Sequence, residues 1–510
     1  MPLFILALVL LFATIVSAAD QSLSKPDANK PNIVIIYIDD MGYADIGPFG
    51  AKGYDTPHLD RMAAEGMKFT SFYSAQAVCS ASRTALMTGC YANRLGISGA
   101  LGPHSKVGIS DKEMTIAQLC KQRGYATAIF GKWHLGDAMQ FLPLQHGFDE
   151  YFGLPYSNDM TPRGAPHGIP NQRSNYMKLP LINQNTVVNP DVDDAAQNML
   201  TTWYTEHAVS FVHRHKSQPF FLYVPHAMVH VPLHVSDKFR GKTKRGLFGD
   251  TVEEIDWSVG QILDALKQDG IDDNTLVMFC SDNGPWLCFG DHAGSAYPLR
   301  EGKGTSWDGG VREPTLMRWP GHIPAGRTCD APMMTIDMFP TIAKLIGGSL
   351  PAHKIDGLDI SDVITGKSDK SPHEVLYFYY HQNDLESLRS GKWKLEMARS
   401  YNSLNGRPGG KDGKMVQYES LKIPQPALYD LDSDVGQKRD VSADYPDVMK
   451  KLMMYVDATR ADLGDGLVKQ KGAGRRQSGR AGKDAVYPSD PAFPKAFDAK
   501  YRPGMKKNDA

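Results

Sequence analysis

The sequence has no excess of charge of either sign. Its 56 Lys and Arg residues stand against 57 Asp and Glu residues, so the net charge is −1. A protein that binds nucleic acid through phosphates needs a surplus of cations, so this balance argues against a nucleic-acid partner. Hydrophobic residues make up 42% and charged residues 22% of the 510 residues, which is a globular composition with enough apolar material for a large core.

Cysteines are few, and no two of them form a CxxC pair. The six are Cys79, Cys90, Cys120, Cys280, Cys288 and Cys329. These spacings match neither a zinc site nor a redox motif. An exported protein can form disulfides, but the spacings define none. Cys280 ends the apolar run TLVMFC and is predicted to lie buried in a strand.

Long apolar runs are absent after the N-terminus. The opening segment, MPLFILALVLLFATIVSAAD, is apolar and ends in small residues. It predicts a cleaved secretory signal at residues 1–19 and an exported protein, periplasmic or extracellular. No Lys or Arg precedes the run, and its length would also suit an uncleaved anchor, which is the alternative. No stable membrane span is expected once the signal is removed.

Strand and helix patterns alternate over residues 30–375. The β-branched run from Asn32 to Ile38 predicts a buried strand, and TPHLDRMAAEG and DTVEEIDWSVGQILDALKQDG have helical periodicity. Such alternation predicts an α/β fold, with a large mixed, mainly parallel sheet flanked by helices on both faces. Ligand sites in these sheets lie beyond the carboxyl ends of the strands. We take residues 30–375 as one structural unit.

The pattern changes after residue 375. Short strand-like segments follow, with a predicted hairpin at Ser390 and Gly391, and then the helical segment DVMKKLMMYVDATRADL. Residues 376–463 are therefore predicted to form a smaller α+β unit that contains an antiparallel sheet. Residues 464–510 are rich in Gly, Pro, Lys and Arg, and we expect this basic tail to be loosely ordered.

Two predicted strands end in oxygen-bearing side chains. Asp39 and Asp40 follow the first strand, and Asp282 and Asn283 follow a later one. Adjacent carboxylates repel each other and favour a bound cation, and hard cations take carboxylate and amide oxygens. For the Asp-Asp pair alone, a turn or helix cap is the alternative. Two strand ends with matching donors predict one metal site.

Basic and histidine side chains follow other strands. Lys132 and His134 lie in FGKWHLG, and Lys303 lies in the glycine-rich REGKGTSWDGG. In isolation, each of them is better explained as a solvated lysine or a packed histidine than as a site residue. The segment PHAMVHVPLH contains His226, His230 and His234. A histidine there could bind metal, relay protons or cap the loop.

The segment AVCSASRTALMTG, residues 77–89, places a thiol beside a predicted helix start. Ser80 or Ser82 could cap a helix that Gly89 ends. Cys79 would then lie at the positive end of the helix, with Arg83 on the same face one turn later. The alternative is a buried structural cysteine with a surface arginine.

Together these segments resemble the type I, formylglycine-dependent sulfatases of the alkaline phosphatase superfamily, in the arylsulfatase A-like branch. The resemblance runs from about Pro31 to Asp440 and implies that residues 30–375 are the catalytic unit, a sulfatase domain. CSASRTALMTG is similar to the maturation signature C-x-P/A-x-R, and PNIVIIYIDDMGYADIG, GKWHLG, VHVP, SDNG and GKGTSWDGGVREP occur in the family's order. The commonest signature has Pro where this chain has Ala81.

The resemblance implies that a formylglycine-generating maturase oxidises Cys79 to formylglycine, whose hydrate carries two hydroxyls. It further implies a calcium ion close to position 79, held by Asp39, Asp40, Asp282 and Asn283. Arg83 would stabilise the hydrate, and Lys132 and Lys303 would hold the sulfate oxygens, since fixed cations stabilise the charge that develops there.

The resemblance also implies a two-step reaction. One hydroxyl attacks sulfur and the alcohol leaves; the other then loses a proton, and sulfate is expelled. His134 would be the base for this expulsion, and His230, with Lys303, would assist the leaving group. Ser157 in GLPYSND resembles a further sulfate or substrate contact.

A sulfatase reading predicts a sulfated carbohydrate or an aryl sulfate as substrate. The loop at 156–180 contributes Arg163, His167 and Arg173, which could meet an acidic sugar or be solvated. One alternative is a phosphatase or phosphonate hydrolase of the same superfamily, against which Cys79 with Arg83 argues. The other is a non-enzymatic binder of sulfated glycans, against which the complete set of catalytic positions argues. The sequence carries no signal for an oligomeric state.

Overall fold

The computed structural model describes residues 30–162 and 176–503. The predicted signal at 1–19 lies outside these ranges, as do Arg163, His167 and Arg173. The strands are β1 (Asn32–Ile38), β2 (Met67–Phe69), β3 (Phe72–Tyr73), β4 (Val107–Gly108), β5 (Ala126–Phe130), β6 (Glu150–Gly153), β7 (Leu181–Asn183), β8 (Thr186–Asn189), β9 (Phe220–Pro225), β10 (Thr275–Ser281), β11 (Thr315–Arg318), β12 (Arg327–Cys329), β13 (Met333–Met334), β14 (Leu376–Tyr380), β15 (Asp384–Ser390), β16 (Trp393–Glu396), β17 (Arg399–Ser403), β18 (Glu419–Ile423), β19 (Ala427–Asp430), β20 (Gly464–Asp465), β21 (Gln470–Lys471) and β22 (Gly479–Arg480). The α-helices are α1 (Pro57–Glu65), α2 (Cys79–Thr88), α3 (Ile116–Gln122), α4 (Asp194–Gln197), α5 (Leu200–His215), α6 (Leu247–Gln268), α7 (Asp308–Val311), α8 (Met338–Leu345), α9 (Ser361–Ile364) and α10 (Pro446–Leu463).

A ten-stranded mixed sheet forms the centre of the molecule, in the order β12-β2-β11-β10-β1-β9-β5-β6-β7-β8. Its five middle strands, β10, β1, β9, β5 and β6, are parallel to one another. Antiparallel pairs occur toward the two edges, at β10-β11, β11-β2, β6-β7 and β7-β8. The predicted α/β fold with a large mixed, mainly parallel sheet is confirmed.

Strand β1 is buried on both faces because helices cover both faces of the sheet. Val34 and Ile36 belong to one hydrophobic core, which includes side chains of α1, α5 and α6. Ile33 and Ile35 belong to a second core, which includes side chains of α2, α3 and α8. Successive side chains of β1 point to opposite faces of the sheet, and both faces are covered by a core. The strand is therefore apolar at consecutive positions rather than at every other one.

The carboxyl ends of β5 and β9 approach each other very closely. Gly131 follows β5 at φ 145°, and a Cβ at this position would lie 2.0 Å from the carbonyl oxygen of Pro225. The amide of the next residue, Lys132, donates to that same carbonyl at 2.7 Å. Only glycine permits this approach, which fixes where the Lys132 side chain begins.

The C-terminal region contains separate small sheets. Strands β14, β15, β16 and β19 form a four-stranded antiparallel sheet, and β17 pairs with β18. The predicted hairpin is present: Ser390 pairs with Trp393 across a turn that contains Gly391 at φ 56°. Leu452, Val456 and Leu463 of α10 share a core with the four-stranded sheet.

The expectation of a loosely ordered tail is wrong for residues 464–503. Strand β20 pairs with β21, and β22 adds to β4 of the catalytic unit. Arg476 donates to both carboxylate oxygens of Glu113, at 2.7 and 2.8 Å. The Tyr501 ring packs on Phe152 and Trp203, with centroids 4.8 and 5.2 Å away. Composition suggested disorder, whereas partners far away in sequence hold this segment in place.

All six cysteines are free thiols and all are buried. Cys280 lies in β10, as predicted, with its side chain in the second core. Across residues 30–162 and 176–503, none of the helices combines the length and apolarity that crossing a bilayer requires.

Candidate active site

The site residues lie where the middle strands end. Asp39 and Asp40 follow β1, Asp282 and Asn283 follow the neighbouring β10, and Lys132 follows β5. All five side chains are buried. Carboxyl ends of parallel strands meet at one edge of the sheet, which brings together residues more than 200 positions apart in the chain.

This edge could hold a metal ion. Three buried oxygens have no hydrogen-bond partner within the described residues: Oδ1 of Asp39, Oδ2 of Asp40 and Oδ1 of Asn283. Carboxylate oxygens of Asp39, Asp40 and Asp282 lie within 4.8 Å of one another. Unpartnered buried oxygens are costly, and a hard cation takes such ligands. The donor set therefore fits calcium.

Asp282 differs from the other three predicted ligands in that neither of its side-chain oxygens lacks a hydrogen-bond partner among the described residues. Its Oδ1 accepts from the Asp40 amide at 3.2 Å, and its Oδ2 accepts from Arg83 Nε at 2.9 Å. Burial and the nearby Asp39 raise the pKa of Asp282 to about 7, which Arg83 opposes. The carboxylate thus needs its arginine partner to stay charged in this crowded site.

Three cations face the carboxylates, of which Lys132 and Arg83 are buried and Lys303 is partly exposed. Lys132 Nζ donates to Asp39 and, at 3.0 Å, to the Ser157 hydroxyl. Lys303 Nζ donates to Asp40 Oδ1 at 2.6 Å, and the Arg83 guanidinium lies 3.5 Å from Asp39. Burial opposes ionisation of Asp39, but Lys132 and Arg83 outweigh it and hold the pKa of this carboxyl well below its usual range.

Cys79 is the first residue of α2 and is 2% exposed. Its Sγ lies 3.9 Å from Lys303 Nζ and within 4.8 Å of ligand atoms of Asp39 and His230. Burial raises the pKa of Cys79 to about 11, although Lys132 and Lys303 oppose the rise. At neutral pH the side chain is therefore a neutral thiol and a poor nucleophile.

The predicted serine cap of α2 is wrong. Val78 occupies the N-cap position, and no side chain caps the helix. The Ser80 hydroxyl accepts from the Leu101 amide at 3.0 Å, and the Ser82 hydroxyl bonds to the Tyr37 hydroxyl at 2.8 Å. Gly89 does end the helix, at φ 68°.

His134 lines the same cavity as Cys79. It is a non-glycine residue at φ 62°, a backbone conformation that is rare and concentrated at functional sites. Burial and the nearby Lys132 hold the pKa of its imidazole well below the usual value. The ring is consequently neutral at physiological pH.

The three histidines after β9 lie in different surroundings. His230 lines the cavity with its Nε2 3.7 Å from Asp40 Oδ2, while its Nδ1 lies 2.6 Å from the Val231 carbonyl oxygen. Burial and Lys303 lower the pKa of His230 to about 3. His226 instead contacts the Ser258 hydroxyl at 3.2 Å, and His234 contacts Asn198.

The cavity above these groups has a volume of about 430 Å³. Much of its wall comes from residues that the sequence analysis did not identify: Trp286, Tyr380, His381, Asn402, Gln417 and Tyr418. Trp286 directly follows the SDNG segment and could have been suspected. The others lie in the C-terminal region in no recognisable motif, so only the fold shows that they reach the site.

Comparisons with known proteins agree with this geometry. The family model Sulfatase matches residues 31–348, and the model for the C-terminal region of aryl-sulfatase matches residues 371–476. Arylsulfatase G of Mus musculus is 40% identical, covering 88% of this chain and 90% of that protein. N-acetylgalactosamine-6-sulfatase of Sus scrofa is 37% identical, covering 85% and 86%.

A solved structure extends the match to three dimensions. A sulfatase from Pseudoalteromonas sp. aligns with a TM-score of 0.75 at 28% identity, covering 84% of this chain and 91% of that one. The sequence matches and the shared architecture lead to the same conclusion. The chain belongs to the sulfatase family and is an enzyme that hydrolyses sulfate esters.

Proposed function

We propose that this enzyme removes sulfate from a sulfated carbohydrate, and also from aryl sulfates, with a formylglycine made from Cys79 and a bound calcium ion. The observation that carries the proposal is the setting of Cys79. Its side chain lies in one cavity with Lys303 and His230, against the unpartnered oxygens of the predicted metal site.

Formylglycine resolves a chemical difficulty at position 79. The thiol found there is buried and has its pKa raised to about 11 by burial, so it would be a weak nucleophile. A hydrated aldehyde supplies one hydroxyl to attack sulfur and a second whose deprotonation lets sulfate leave. The sulfur atom in this structure stands where one of those hydroxyl oxygens would lie.

Calcium would be held by Asp39, Asp40, Asn283 and Asp282, of which the first three offer an unpartnered buried oxygen. When bound, it supplies positive charge to the sulfate oxygens and to the side chain at position 79. Arg83 favours the ionised form of Asp282 through its 2.9 Å hydrogen bond and so supports the negative charge of the site.

The remaining side chains either stabilise the charge of the sulfate group or transfer protons during its release. Lys303 supplies positive charge in the cavity wall, and Lys132 supplies it from behind the wall, where it donates to the lining residue Ser157 at 3.0 Å. The neutral His134 removes the proton that allows sulfate to leave. His230 and Lys303 face the oxygen of the departing alcohol, where the negative charge of bound sulfate would favour a protonated imidazole.

A sugar suits the outer part of the cavity. Trp286, Tyr380 and Tyr418 offer ring faces and edges, while the exposed amides of Asn402 and Gln417 can bond to hydroxyl groups. This mixture of aromatic surface and a few polar groups is typical of small-molecule sites. The name N-acetylgalactosamine-6-sulfatase, carried by a relative, is consistent with a sugar substrate.

We further propose that the chain is exported, periplasmic or extracellular, and that a formylglycine-generating maturase acts on Cys79 with Ala81 in its recognition motif. Export is tested by sequencing the N-terminus of the secreted protein, which should begin after residue 19. A chain that remains attached to membranes through residues 1–19 would contradict it.

The test of the proposed function is the mass of the peptide that contains residue 79. The protein is produced with a formylglycine-generating enzyme, and the peptide should lose about 18 Da relative to cysteine and react with a hydrazide, which a peptide that has only lost water from Ser80 or Ser82 does not do. A matched Cys79→Ala variant should show neither the aldehyde nor turnover of 4-nitrophenyl sulfate. Full turnover by protein with an unmodified thiol would overturn the proposal.

A further inference from the structure

A second polar cavity adjoins the active site. It has a volume of about 520 Å³ and shares one lining residue, His381, with the active-site cavity. The segment after α10, which includes the β20–β21 hairpin, forms much of its other wall. The two cavities therefore meet at His381, which follows the active-site residue Tyr380.

Three cations line this second cavity: Lys469, Lys471 and Arg475. All three are exposed. In the part of the chain that the structure describes, none of the three forms an ion pair. The only hydrogen bond made by their side chains there is the one that Arg475 Nε donates to the Asn93 carbonyl oxygen, at 3.1 Å. Most of their hydrogen-bonding capacity is available to a ligand.

The carboxylates in the same wall do not cancel these charges. Asp465 is already paired with Arg460, whose Nε donates at 2.9 Å, and its other oxygen accepts from the Leu385 and Leu467 amides. Asp384 is the one other carboxylate in the described lining, and burial raises its pKa. The cavity consequently has a net positive charge.

The cations stand on a fixed frame. The amide of Gly466, in the turn of the hairpin, donates to the carbonyl of Asn383 at 2.8 Å. The buried Asn383 side chain donates to Leu463 at 3.1 Å and accepts from Asn93 at 2.9 Å. The Asn93 carbonyl in turn accepts from Arg475, so one hydrogen-bonded chain links the hairpin, the residue before β15 and Arg475. The backbone that carries Lys469 and Lys471, and the side chain of Arg475, are therefore held in place before a ligand arrives.

We propose that this cavity is a subsite for an anionic group, a sulfate or a carboxylate, on a neighbouring unit of an extended glycan whose sulfate ester occupies the active site. The inference rests on the proposed function, since it uses the active-site cavity as the place of the scissile ester. Because both cavities border His381, one chain of sugars that passes this exposed residue could occupy both. The enzyme would then prefer polyanionic oligosaccharides over isolated monosaccharides.

The test measures inhibition of 4-nitrophenyl sulfate hydrolysis in the matured full-length enzyme. The probes are inorganic sulfate, an uncharged dextran octasaccharide, a sulfated dextran octasaccharide and a carboxymethylated one. The variant carries Lys469→Gln, Lys471→Gln and Arg475→Gln. We expect its inhibition constant for a charged octasaccharide to rise at least about tenfold, because three exposed charge contacts are lost. Inorganic sulfate, which needs only the active site, should inhibit both proteins equally.

A control variant removes the same total charge elsewhere, through Lys52→Gln, Lys112→Gln and Lys267→Gln, three exposed residues outside both cavities. It should leave all inhibition constants unchanged. The pair Lys469→Gln and Lys471→Gln, which keeps the Arg475 hydrogen bond, covers the case in which the triple variant folds poorly. The sulfated and carboxymethylated probes distinguish the two kinds of anion.

Equal inhibition of wild type and the triple variant by both charged octasaccharides would overturn the subsite. An equal loss in the control variant would also overturn it. If the matured wild type carries the aldehyde but does not hydrolyse 4-nitrophenyl sulfate, the proposed function has failed instead. Direct titration with fluorescently labelled octasaccharides then tests the subsite alone, by the same comparison of variants.

Discussion

The Nε2 atom of His134 lies 2.8 Å from the carbonyl oxygen of Leu101. A carbonyl can only accept, so Nε2 carries the hydrogen and Nδ1 carries the lone pair. Nδ1 is buried and has no hydrogen-bond partner among the described residues. The Leu101 backbone therefore fixes the tautomer in which His134 presents Nδ1 as a base.

Replacement of His134 by Ala should slow the release of sulfate more than the release of alcohol. A positioned general base contributes about 10²- to 10⁴-fold, so steady-state kcat should fall by this amount. A rapid burst of 4-nitrophenol close to one equivalent should precede the slow phase. His322→Ala, at an exposed histidine outside the cavity, is the control and should behave as wild type. A variant that loses the burst as well would show that His134 acts before the alcohol departs.

Replacement of His230 by Ala should depend on the leaving group. If the imidazole assists the departing oxygen, then alkyl or sugar sulfates, whose alcohols leave poorly, need it most. The loss in kcat/KM should therefore be larger for these esters than for 4-nitrophenyl sulfate, and it is measured across a series of alcohol pKa values. An equal loss across the series contradicts the role of proton donor.

Replacement of Asn283 by Ala should weaken calcium binding without disrupting the sheet edge. The Asn283 side-chain oxygen is unpartnered, and its amide nitrogen donates to Asp40 at 2.7 Å. Calcium at a hundredfold excess over its Kd should stabilise the wild type by about 2.7 kcal/mol, seen as a higher midpoint in calorimetry. Asn283→Ala should lose most of this shift, whereas Asn283→Asp, which keeps an oxygen ligand, should retain it. A calcium-dependent shift of wild-type size in Asn283→Ala would remove Asn283 from the ligand set.

Replacement of Arg476 by Ala should destabilise the whole enzyme. Arg476 forms a two-pronged pair with Glu113, which is 4% exposed at its side chain, so removal of the arginine leaves a buried carboxylate. Loss of one partner of a buried pair costs about 3–5 kcal/mol, and the partial exposure of Arg476 reduces this to about 2 kcal/mol. Urea denaturation of Arg476→Ala, Glu113→Gln and the double variant measures the coupling. Strictly additive effects of the two changes would show that the pair contributes nothing.

The central sheet and the strand-end residues could be predicted because they obey local rules. Strand β1 is β-branched and apolar throughout, and Asp39 and Asp40 follow it directly. Parallel strands then bring such residues to one edge, whatever lies between them in sequence. The same rule predicts that Lys132 and Asn283 lie at this edge of the sheet, and it requires no knowledge of tertiary contacts.

The remaining features depend on partners that the sequence does not reveal. Ser80 and Ser82 have hydroxyls that could cap a helix, but these hydroxyls form hydrogen bonds with the Leu101 amide and the Tyr37 hydroxyl instead. The tail has the composition of a disordered segment, yet Glu113 lies 363 positions before the arginine that it binds. Local propensity was outweighed in both cases by tertiary contacts.

The pairing of β22 with β4 links residues 464–503 to His134, the proposed catalytic base. Just beyond β4, the Ile109 amide donates to the carbonyl of Leu135, which is the residue after His134. Local unfolding of residues 464–503 would therefore disturb the loop that contains His134, while the strands of the central sheet stay paired. We therefore predict that a protease that cuts in this segment inactivates the enzyme while its core remains folded, and that the local stability of residues 464–503 limits how long activity lasts.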